Sequence, residues 1–559
     1  MARRGRVIGS ENQPDQAGRQ ALTTRLNASS RRRPWPWLLV LGIVALAVGA
    51  RLYLILTSGA LMDGDEALVG LQALHILRDG ERPVFFYGQS YMGSLEAYLA
   101  AAVFAVWGPS ALALRAVSLA FAAGLVVVTY ALAQRLGDRV SATVAALCAA
   151  CPALYVAVWT IKARGGFVET LFLGLLLLLL TCSLVERQGG LGRWLALGVL
   201  AGLAFWVSGM IVYYLLACAP FLLWSAARAP RWGTGGLIAA TLGAVVGAAP
   251  LVVYNARHGL ATLVYLFGGA PGHAAQTLRQ APAVLGYFVR ACLPELTGAW
   301  QPYTPSWAPW GAALLALYAV GALCLAARAV RPRRVLPLLV LTQAALVPLV
   351  FAASGFGGAS LNPYGFDATG RYTLPLAALL PLTMAALTQR VLVASAPAWR
   401  GLLATALVGL VVGGSALQYA RADKRLIFQS EYWHRLPMDN TPLVNCLDHL
   451  GVHDLWMNHW AGYPLMFATQ ERFVAADYND VALNGGVNRL PWTLQQVGRA
   501  SRPAYVLVVG DAGVTPLQRR LDALGVTYQR CVALPYQVLR PTSRRVDPRE
   551  VAATIGYAY

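Results

Sequence analysis

Long apolar runs recur along this 559-residue chain, and they restrict it to one broad class of fold. A stretch of 18 or more apolar residues is long enough to cross the hydrocarbon core of a membrane as an α-helix. Charged residues make up 13% of the chain, whereas a soluble protein carries about 25%. We therefore predict a mainly α-helical, polytopic membrane protein.

Eleven apolar runs have the length of a membrane span. They lie at residues 35–57, 111–134, 140–160, 166–185, 193–208, 209–226, 236–254, 308–328, 335–353, 371–389 and 401–420. A further run at 94–107 is shorter and contains Glu96. We predict a bundle of about 11 transmembrane helices and treat the short run separately.

Arginine placement decides how the short run is treated, because loops on the cytoplasmic side carry an excess of Lys and Arg. If the run at 94–107 does not span the membrane and the N-terminal tail lies inside, every inside loop carries Arg. These loops are 135–139, 187–193, 228–231, 328–334 and 390–400. Counting the run as a span would place all of them outside. We therefore predict an interfacial or re-entrant helix within a first outer loop at 58–110.

The two ends of the chain differ from its middle. Residues 1–34 are polar and carry eight Arg, which predicts a disordered cytoplasmic tail. Residues 421–559 contain short apolar runs of strand length, "HDLWMN", "RFVAAD", "AYVLVVG", "YQRCVAL" and "YQVLRP", with helical patterns between them. These patterns predict a small α/β domain, which the topology places on the extracytoplasmic side.

Two cysteines of the predicted outer domain, Cys446 and Cys531, lie in an oxidising location. A disulfide between them and two free thiols are both compatible with the sequence, which does not supply the geometry that a disulfide needs.

The net charge of +20 does not indicate nucleic acid as a partner. Nucleic-acid binding requires basic residues clustered on a folded face, and here they are spread over short loops between apolar runs. We find no nucleotide-binding motif, and we see no complete set of metal ligands. A divalent metal that assists through the acidic residues remains an open alternative.

The segment "LMDGDEALVG" follows the first apolar run and contains Asp63, Asp65 and Glu66. Leucines at helical spacing from Leu68 to Leu77 predict an amphipathic helix over Asp65–Arg78 that lies in the membrane surface. Asp63 and Glu66 have the spacing of a capping box, which accounts for both without a function. Asp65 is not needed for the box. A carboxylate near the hydrocarbon boundary is costly, so Asp65 is the functional candidate.

Other polar residues are predicted on the same side of the membrane. They are Tyr87, Gln89 and Glu96 in the first outer loop, Lys162, Arg164 and Glu169 in the second, "TIKARGGFVET", and Arg371 with Tyr372 at the start of a later span. Cations are disfavoured in outer loops, and binding of a lipid phosphate would explain them. Snorkelling, interface anchoring or a salt bridge to Glu169 is the alternative.

Four stretches carry a resemblance to a known family. They are "GDEA" at 64–67, "YMGSLEAYLAA" at 91–101, "ALRAVSLAFAAGLVVVTYALAQRLGDR" at 113–139 and "RYTLPL" at 371–376. With a basic tail and one span before the acidic pair, residues 35–420 resemble the GT-C membrane glycosyltransferases. The most similar subgroup is the PMT type, which is protein O-mannosyltransferase-like and lipid A aminoarabinose-transferase-like.

The resemblance implies transfer of a sugar from a polyprenyl-phosphate donor to an acceptor hydroxyl on the outer face, with inversion. It implies Asp65 as the acidic catalytic residue, with Glu66 beside it, and we predict that Asp65 is the base that takes the proton of the acceptor hydroxyl. Glu96 is the nearest match to a further family acid, but its "GSLE" context lacks the proline of many relatives. Some relatives have an Asp in the second outer loop, where this chain has other residues.

The remaining predicted roles follow from this reaction. Arg164, Lys162 and Arg371 are expected to bind the donor phosphate, and Glu96, Tyr87, Gln89, Tyr372 and Glu169 to contact substrate. The expected partners are the lipid donor, membrane lipids, and a glycan, lipid or protein acceptor. The expected location is the plasma (inner) membrane. The sequence leaves open which sugar and which acceptor are used.

Two rival functions are compatible with the same composition. A transporter or flippase for a lipid-linked or anionic substrate would place its charges along a central path. A non-catalytic assembly protein would use the α/β domain to bind a partner. Polar residues that meet at the outer boundary of the membrane would favour the enzyme.

Overall fold

The computed structural model describes residues 35–187, 190–228, 233–262, 264, 273–302, 306–330, 335–353, 369–430, 433–482, 489–509 and 514–554. The chain divides into a short unit, residues 1–42, and a large unit, residues 43–559. The tail predicted over 1–34 lies outside the described residues. The predicted boundary at 420/421 and the sidedness of the termini stay predictions.

Within the described residues, eight helices are long and apolar enough to cross a membrane, or nine if a bent pair counts as one span. The eight are Trp37–Thr57, Ala111–Leu136, Phe167–Arg187, Gly209–Arg228, Gly311–Ala329, Val335–Ala353, Gly370–Ala394 and Pro397–Arg421. The bent pair is Gly233–Gly247 and Ala249–Arg257, which meet at 70°. The chain is therefore a multi-pass membrane protein, as the apolar runs predict.

Two of the predicted spans, 140–160 and 193–208, are shorter helices, Arg139–Ala150 and Leu191–Val207. The first ends where Pro152 follows its last turn, because proline cannot continue a helix. The chain then forms a second short helix, Leu154–Trp159. The run at 94–107 forms the 13-residue helix Leu95–Trp107, which is too short for a typical span.

The other helices and strands complete the fold. Helices are Gly64–Arg78, His273–Tyr287, Leu293–Thr297, Leu374–Ala377, Leu380–Ala394, Thr441–Leu450, His459–Ala468, Tyr478–Ala482, Pro491–Arg499 and Val514–Ala523, with one π-helical turn, Phe288–Cys292, and 3₁₀ turns at Gly209–Ile211, Thr369–Thr373 and Pro548–Thr554. Strands are Trp300–Gln301, Ser306–Trp307, Asp454–Met457, Val474–Ala476, Ala504–Val508, Tyr528–Ala533 and Tyr536–Pro541.

Helix Gly64–Arg78 starts after Asp63 and is buried from Gly64 to His75. Leu68, Leu71 and Leu74 are buried, whereas Leu77 is exposed; the polar face is also covered up to His75, because helix His459–Ala468 packs against this helix. Gly70 permits this contact, since a Cβ there would lie 2.6 Å from the Phe467 ring. The amphipathic pattern therefore predicts the helix correctly. The polar face of this helix, however, contacts another part of the protein, in which His75 takes part.

Residues 433–554 contain an α/β fold with a five-stranded sheet. The strand order is Val474–Ala476, Asp454–Met457, Ala504–Val508, Tyr536–Pro541 and Tyr528–Ala533. The first three strands run parallel, and the last two join by antiparallel pairing. All five strands match the short apolar runs that predict them.

The α/β fold has its own core and a covalent cross-link. Trp456 and Tyr505 of the sheet pack with Leu517 and Leu521 of helix Val514–Ala523. Cys446, on helix Thr441–Leu450, is joined to Cys531 on an edge strand, with the Cα atoms 6.1 Å apart. Of the two alternatives that the sequence allows, the structure contains the disulfide.

Candidate active site

The candidate site forms where the first helix of the loop after span Trp37–Thr57 meets the turn at residues 160–166. Two glycines shape this turn: Gly165 and Gly166 have φ of +75° and +87°, which L side chains rarely adopt. The turn brings Lys162 and Arg164 to the N-terminus of helix Gly64–Arg78. Acidic side chains are favoured at a helix N-terminus, and here they also meet cations.

Asp63 is the N-cap residue that the sequence predicts, and its Oδ1 accepts a bond of 3.0 Å from the Glu66 backbone N–H. Its other oxygen, Oδ2, lies 2.8 Å from Lys162 Nζ and 3.4 Å from Arg164 Nη1. Lys162 Nζ also donates to the backbone oxygen of Gln429 at 2.8 Å. Asp63 and Lys162 are thus fully buried and joined to each other.

Asp65 lies between two arginines. Arg164 donates from Nε to Asp65 Oδ2 at 2.8 Å, and Arg489 Nη1 lies 3.3 Å from Asp65 Oδ1. Burial alone raises the pKa of Asp65, but the charges of Arg164 and Arg489 outweigh it and lower that pKa well below its ordinary value. The carboxylate is therefore ionised and paired, and its side chain keeps 13% exposure, whereas those of Asp63 and Glu66 are fully buried.

Glu66 does not complete the capping box with its side chain. Its carboxylate makes a two-pronged pair with Arg115, at 2.9 Å to Nε and 2.7 Å to Nη2. It also accepts a bond of 3.1 Å from the Ala163 backbone N–H. Both side chains are fully buried, so Glu66 joins the first outer loop to helix Ala111–Leu136 and to the turn that carries Arg164.

Trp159 connects the predicted phosphate-binding residues. The Arg164 guanidinium lies 5.6 Å from its ring centroid and the Arg371 guanidinium lies 5.4 Å from it, both within the range of a cation–π contact. Arg371 also lies over the ring of Tyr372. The structure therefore brings Arg371 to the same aromatic residue as Arg164, with Tyr372 in contact with Arg371.

Arg489 is the member of the site that the sequence does not predict. It follows no recognisable motif, and it reaches Asp65 from the α/β region, more than 400 positions away in the chain. Gln89 holds it: in the amide orientation that satisfies its neighbours, the side-chain oxygen accepts from Arg489 Nη1 and Nη2 at 3.0 Å each. Gln89, predicted to contact substrate, thus positions a cation.

Glu96 and Glu169 form a second acidic group beside the turn. Glu96 is buried, accepts from Ser118 Oγ at 3.0 Å, and accepts from the Gly165 backbone N–H at 3.1 Å. Burial, and then the nearby charge of Glu169, raise the pKa of Glu96 well above its ordinary value. The nearby carboxylate of Glu169 thus disfavours the ionised form of Glu96.

Tyr87 lies apart from the other predicted residues. Its hydroxyl bonds to His75 Nδ1 at 2.9 Å, while His75 Nε2 lies 2.8 Å from Glu471 of the α/β region. His75 is ten residues beyond Asp65 on one helix, which corresponds to about 15 Å along its axis. Tyr87 therefore belongs to a contact between the first outer loop and the α/β region.

The charges of the site gather at the ends of candidate spans. Asp65 follows span Trp37–Thr57, Arg164 precedes Phe167–Arg187, and Arg371 begins Gly370–Ala394. In the described ranges of the chain, no group of three His, Cys, Asp or Glu is arranged to hold a metal ion. The acids at the helix N-terminus are instead compensated by Lys and Arg.

Comparison with known proteins relates one segment of the chain to a family and the fold to solved structures. Residues 94–254 match the family described as dolichyl-phosphate-mannose-protein mannosyltransferase. No curated protein sequence matches the chain. A crystal structure of ArnT from Cupriavidus metallidurans bound to undecaprenyl phosphate matches with a TM-score of 0.56 at 12% identity, over 91% of this chain and 99% of that one.

Two further crystal structures match the same architecture. ArnT from the same organism in the apo state has a TM-score of 0.56 at 13% identity, covering 94% of this chain and 99% of that one. The apo oligosaccharyltransferase of Archaeoglobus fulgidus has a TM-score of 0.51 at 12% identity, covering 88% of this chain and 72% of that one. The family match supports the predicted resemblance to PMT-type proteins over residues 94–254, and at these identities the structural matches establish the fold.

Proposed function

We propose that this multi-pass membrane protein of the GT-C fold is a glycosyltransferase that moves a sugar from a polyprenyl-phosphate donor to an acceptor hydroxyl on the outer face of the membrane, with inversion. The observation that carries the proposal is Asp65, held between Arg164 and Arg489 beside the ends of candidate spans. The family match of residues 94–254 supports a sugar–lipid donor, and the ArnT structure with undecaprenyl phosphate supports a polyprenyl chain.

The arginine pair suits the leaving group of this reaction. Negative charge builds on the phosphate as its bond to the sugar breaks, and fixed cations stabilise that charge most strongly in a buried site. Arg164 and Arg489 both present guanidinium groups, which bind phosphate oxygens in two-pronged fashion. The Arg371 guanidinium contacts the same Trp159 ring as Arg164 and supplies a third cation for the donor.

Donor binding and base activation are then coupled. Before the donor arrives, Asp65 takes the hydrogen bonds of Arg164 and Arg489, so it is a weak base. A phosphate that takes over these guanidinium groups releases the carboxylate. With less compensation, its pKa rises towards the ordinary value and it can accept a proton.

The bonds of the transfer balance as follows. The acceptor oxygen attacks the anomeric carbon from the side opposite the phosphate, which inverts that carbon. The bond from the anomeric carbon to the phosphate oxygen breaks, and its electron pair stays on the polyprenyl phosphate. The acceptor proton passes to Asp65, a general base step typically worth about 10²–10⁴ in rate.

Two predicted ligands take supporting roles in this proposal. Lys162, predicted to bind phosphate, is fully buried and donates hydrogen bonds to Asp63 and to the Gln429 carbonyl. Glu66, predicted to act beside Asp65 in catalysis, is fully buried and paired with Arg115. We assign both to holding the helix N-terminus and the turn in place.

Glu96 and Glu169 remain candidates for contact with the acceptor or the sugar. A carboxyl group whose pKa is raised can donate a hydrogen bond when it is protonated, and an ionised carboxylate can accept one. The Gly165 N–H links Glu96 to the turn that carries Arg164.

The proposal predicts transfer of label from a polyprenyl-phosphate sugar. Membranes that contain the chain are incubated with a panel of undecaprenyl-phosphate sugars labelled in the sugar, and label is followed into glycan, lipid and protein fractions. We expect one donor to lose its label to an acceptor. Label that crosses the bilayer still attached to the lipid would contradict the enzyme and support a flippase.

Arg489→Ala is expected to weaken use of the donor. The lost charge-assisted hydrogen bonds are worth about 1.5–3 kcal/mol, which corresponds to about a 10- to 100-fold lower kcat/KM for the lipid donor. Arg472→Ala is the matched control, because Arg472 lies in the same α/β region in an exposed pair with Asp448. Equal kcat/KM for Arg489→Ala and Arg472→Ala would contradict the phosphate-binding role.

A further inference from the structure

A chain of hydrogen bonds joins the first outer loop to the α/β region at His75. His75 Nε2 lies 2.8 Å from a carboxylate oxygen of Glu471, which is 396 positions away in the sequence, and His75 Nδ1 lies 2.9 Å from the Tyr87 hydroxyl. The Tyr87 hydroxyl in turn donates to the Glu81 carboxylate. The side chain of His75 is 7% exposed and that of Glu471 is 20% exposed. These four residues are here called the His75 clamp.

The hydrogen atoms available to the His75 clamp require a protonated imidazole ring. A hydroxyl has one hydrogen, and Tyr87 donates it to Glu81, because an ionised carboxylate only accepts. His75 Nδ1 must therefore donate to the Tyr87 oxygen, and Nε2 must donate to Glu471. Only the imidazolium carries a hydrogen on both nitrogens. A neutral ring would leave one bond of the clamp unmade.

The surroundings of His75 favour the same charged form. The titratable and aromatic groups around its ring are Glu471 from the α/β region, Tyr87 and Glu81 from the loop, Asp79 from its own helix, and Trp492, whose ring centroid lies 6.3 Å away. Burial of the ring opposes protonation, but the hydrogen bond and charge of Glu471 outweigh burial. The pKa of His75 is therefore raised above its ordinary value.

The α/β side of the His75 clamp is a turn with a strained backbone. Gln470 and Glu471 follow helix His459–Ala468 and have φ of +51° and +66°, a region that residues other than glycine rarely adopt. Arg78 donates to the side-chain oxygen of Gln470, next to the contact of Glu471 with His75. Strain of this kind persists where surrounding contacts stabilise it, and it is frequent at functional contacts.

Tyr87 belongs to a short segment that holds Arg489 in the candidate site. The Arg489 guanidinium lies 5.2 Å from the Phe86 ring centroid, and the Gln89 oxygen accepts from both of its Nη atoms. Gly88 has φ of +74° and permits close approach, since a Cβ there would lie 3.1 Å from Arg489 Cγ. Residues on both sides of Tyr87 thus contact the arginine that pairs with the proposed base.

We propose that protonated His75 joins the α/β region to the first outer loop and, through Tyr87, holds Arg489 in place for the donor phosphate. The effect on activity rests on the proposed glycosyl transfer. When His75 loses its proton, one bond of the clamp breaks, the segment around Tyr87 gains freedom, and Arg489 is less well placed. His75 acts through Arg489 and is therefore a positioning residue.

The His75 clamp predicts that donor use weakens as pH rises. Because the pKa of His75 in the folded protein is raised above 6.5, the clamp is complete below that pH and is lost as pH rises through the raised value. We expect kcat/KM for the lipid donor to fall about 3- to 10-fold over this range, as for loss of one charge-assisted hydrogen bond. His75→Gln should lack this fall, because its kcat/KM is already low at acidic pH. The measurement is kcat/KM for the donor in purified full-length protein between about pH 5 and about pH 9.

A double variant tests whether the clamp acts through Arg489. In the Arg489→Ala protein, adding His75→Gln should change kcat/KM for the donor by less than about 2-fold, because the residue that the clamp positions is already gone. Effects that add in full would overturn the proposed path. His449→Gln is the matched control, since His449 is an exposed histidine on helix Thr441–Leu450 of the same region. It should keep the wild-type profile.

The clamp is also measurable without a donor. The midpoint of thermal unfolding in detergent should fall more steeply with rising pH in wild-type protein than in His75→Gln, because stability that depends on the imidazolium is lost. In Glu471→Gln the fall should begin at lower pH, because the imidazolium loses its negative partner. This second variant decides if His75→Gln does not accumulate in membranes.

The two proposals fail in distinguishable ways. If wild-type protein transfers no sugar from any donor, the glycosyltransferase proposal fails, and with it the role of the clamp in donor use. The unfolding midpoints then decide whether the proton-dependent contact itself exists. If wild-type protein is active and His75→Gln keeps the wild-type pH dependence in both measurements, only the clamp fails.

Discussion

Asp65→Asn is expected to abolish sugar transfer while leaving the protein folded and inserted. Asparagine keeps the shape of the side chain but cannot take the acceptor proton, so kcat should fall by about 10²–10⁴-fold. The donor should still bind, because the substitution removes the carboxylate that competes with phosphate for Arg164 and Arg489. We therefore expect an unchanged or lower KM for the lipid donor together with the loss of kcat.

The matched control is Asp79→Asn at the other end of the same helix. Asp79 is the exposed C-cap residue and makes no ion pair in the described part of the chain. The measurement is the steady-state rate of sugar transfer from the donor that the labelled panel identifies. The variants are compared at equal amounts of detergent-extracted protein. Near-normal turnover in Asp65→Asn would remove Asp65 from the reaction, and a raised KM would assign it to binding instead.

The elements of the fold follow largely from local patterns. The five strands of the α/β region occur at the five short apolar runs, because β-branched and aromatic residues between turn residues are typical of buried strands. Most long apolar runs form helices of spanning length, because their composition alone favours a membrane helix. The run at 140–160 differs, because Pro152 divides it into two short helices, and a hydropathy average does not detect a helix break.

The candidate site divides into a part that local sequence predicts and a part that depends on tertiary contacts. Asp63 caps its helix as its spacing predicts. Asp65 meets Arg164, and Arg371 shares Trp159 with Arg164, because turns at the same ends of neighbouring spans come together. The sequence pattern of the first outer loop therefore indicates charged residues that the structure brings together, and their roles stay predictions.

Arg489 was not predictable in the same way. It belongs to the α/β region, and its contact with Asp65 depends on how that region packs on helix Gly64–Arg78. No spacing rule connects residues about 400 positions apart. A signal was present in part: Arg489 is a charged residue next to a buried apolar segment, but many exposed residues share that property.

Arg115→Met is expected to be the most destabilising single change near the site. Arg115 and Glu66 are both fully buried and joined at 2.7 Å, and Arg115 also donates to the Leu61 carbonyl at 2.6 Å. Removing one partner leaves a buried charge without compensation, which typically costs about 3–5 kcal/mol. The loss should appear as a lower midpoint of thermal unfolding in detergent and a smaller folded fraction in membranes.

Arg135→Met provides a control on the same helix. Arg135 pairs with Glu186 at 2.9 Å, but this pair is partly exposed, and such pairs typically contribute about 0–1 kcal/mol. The double change Arg115→Met with Glu66→Met should be more stable than Arg115→Met alone, because it removes the uncompensated carboxylate together with its partner. Equal stability of Arg115→Met and Arg135→Met would mean that the buried pair does not hold the first outer loop to its neighbours. In that case Glu66 would be released from its supporting role and return, beside Asp65, as a candidate for the reaction itself.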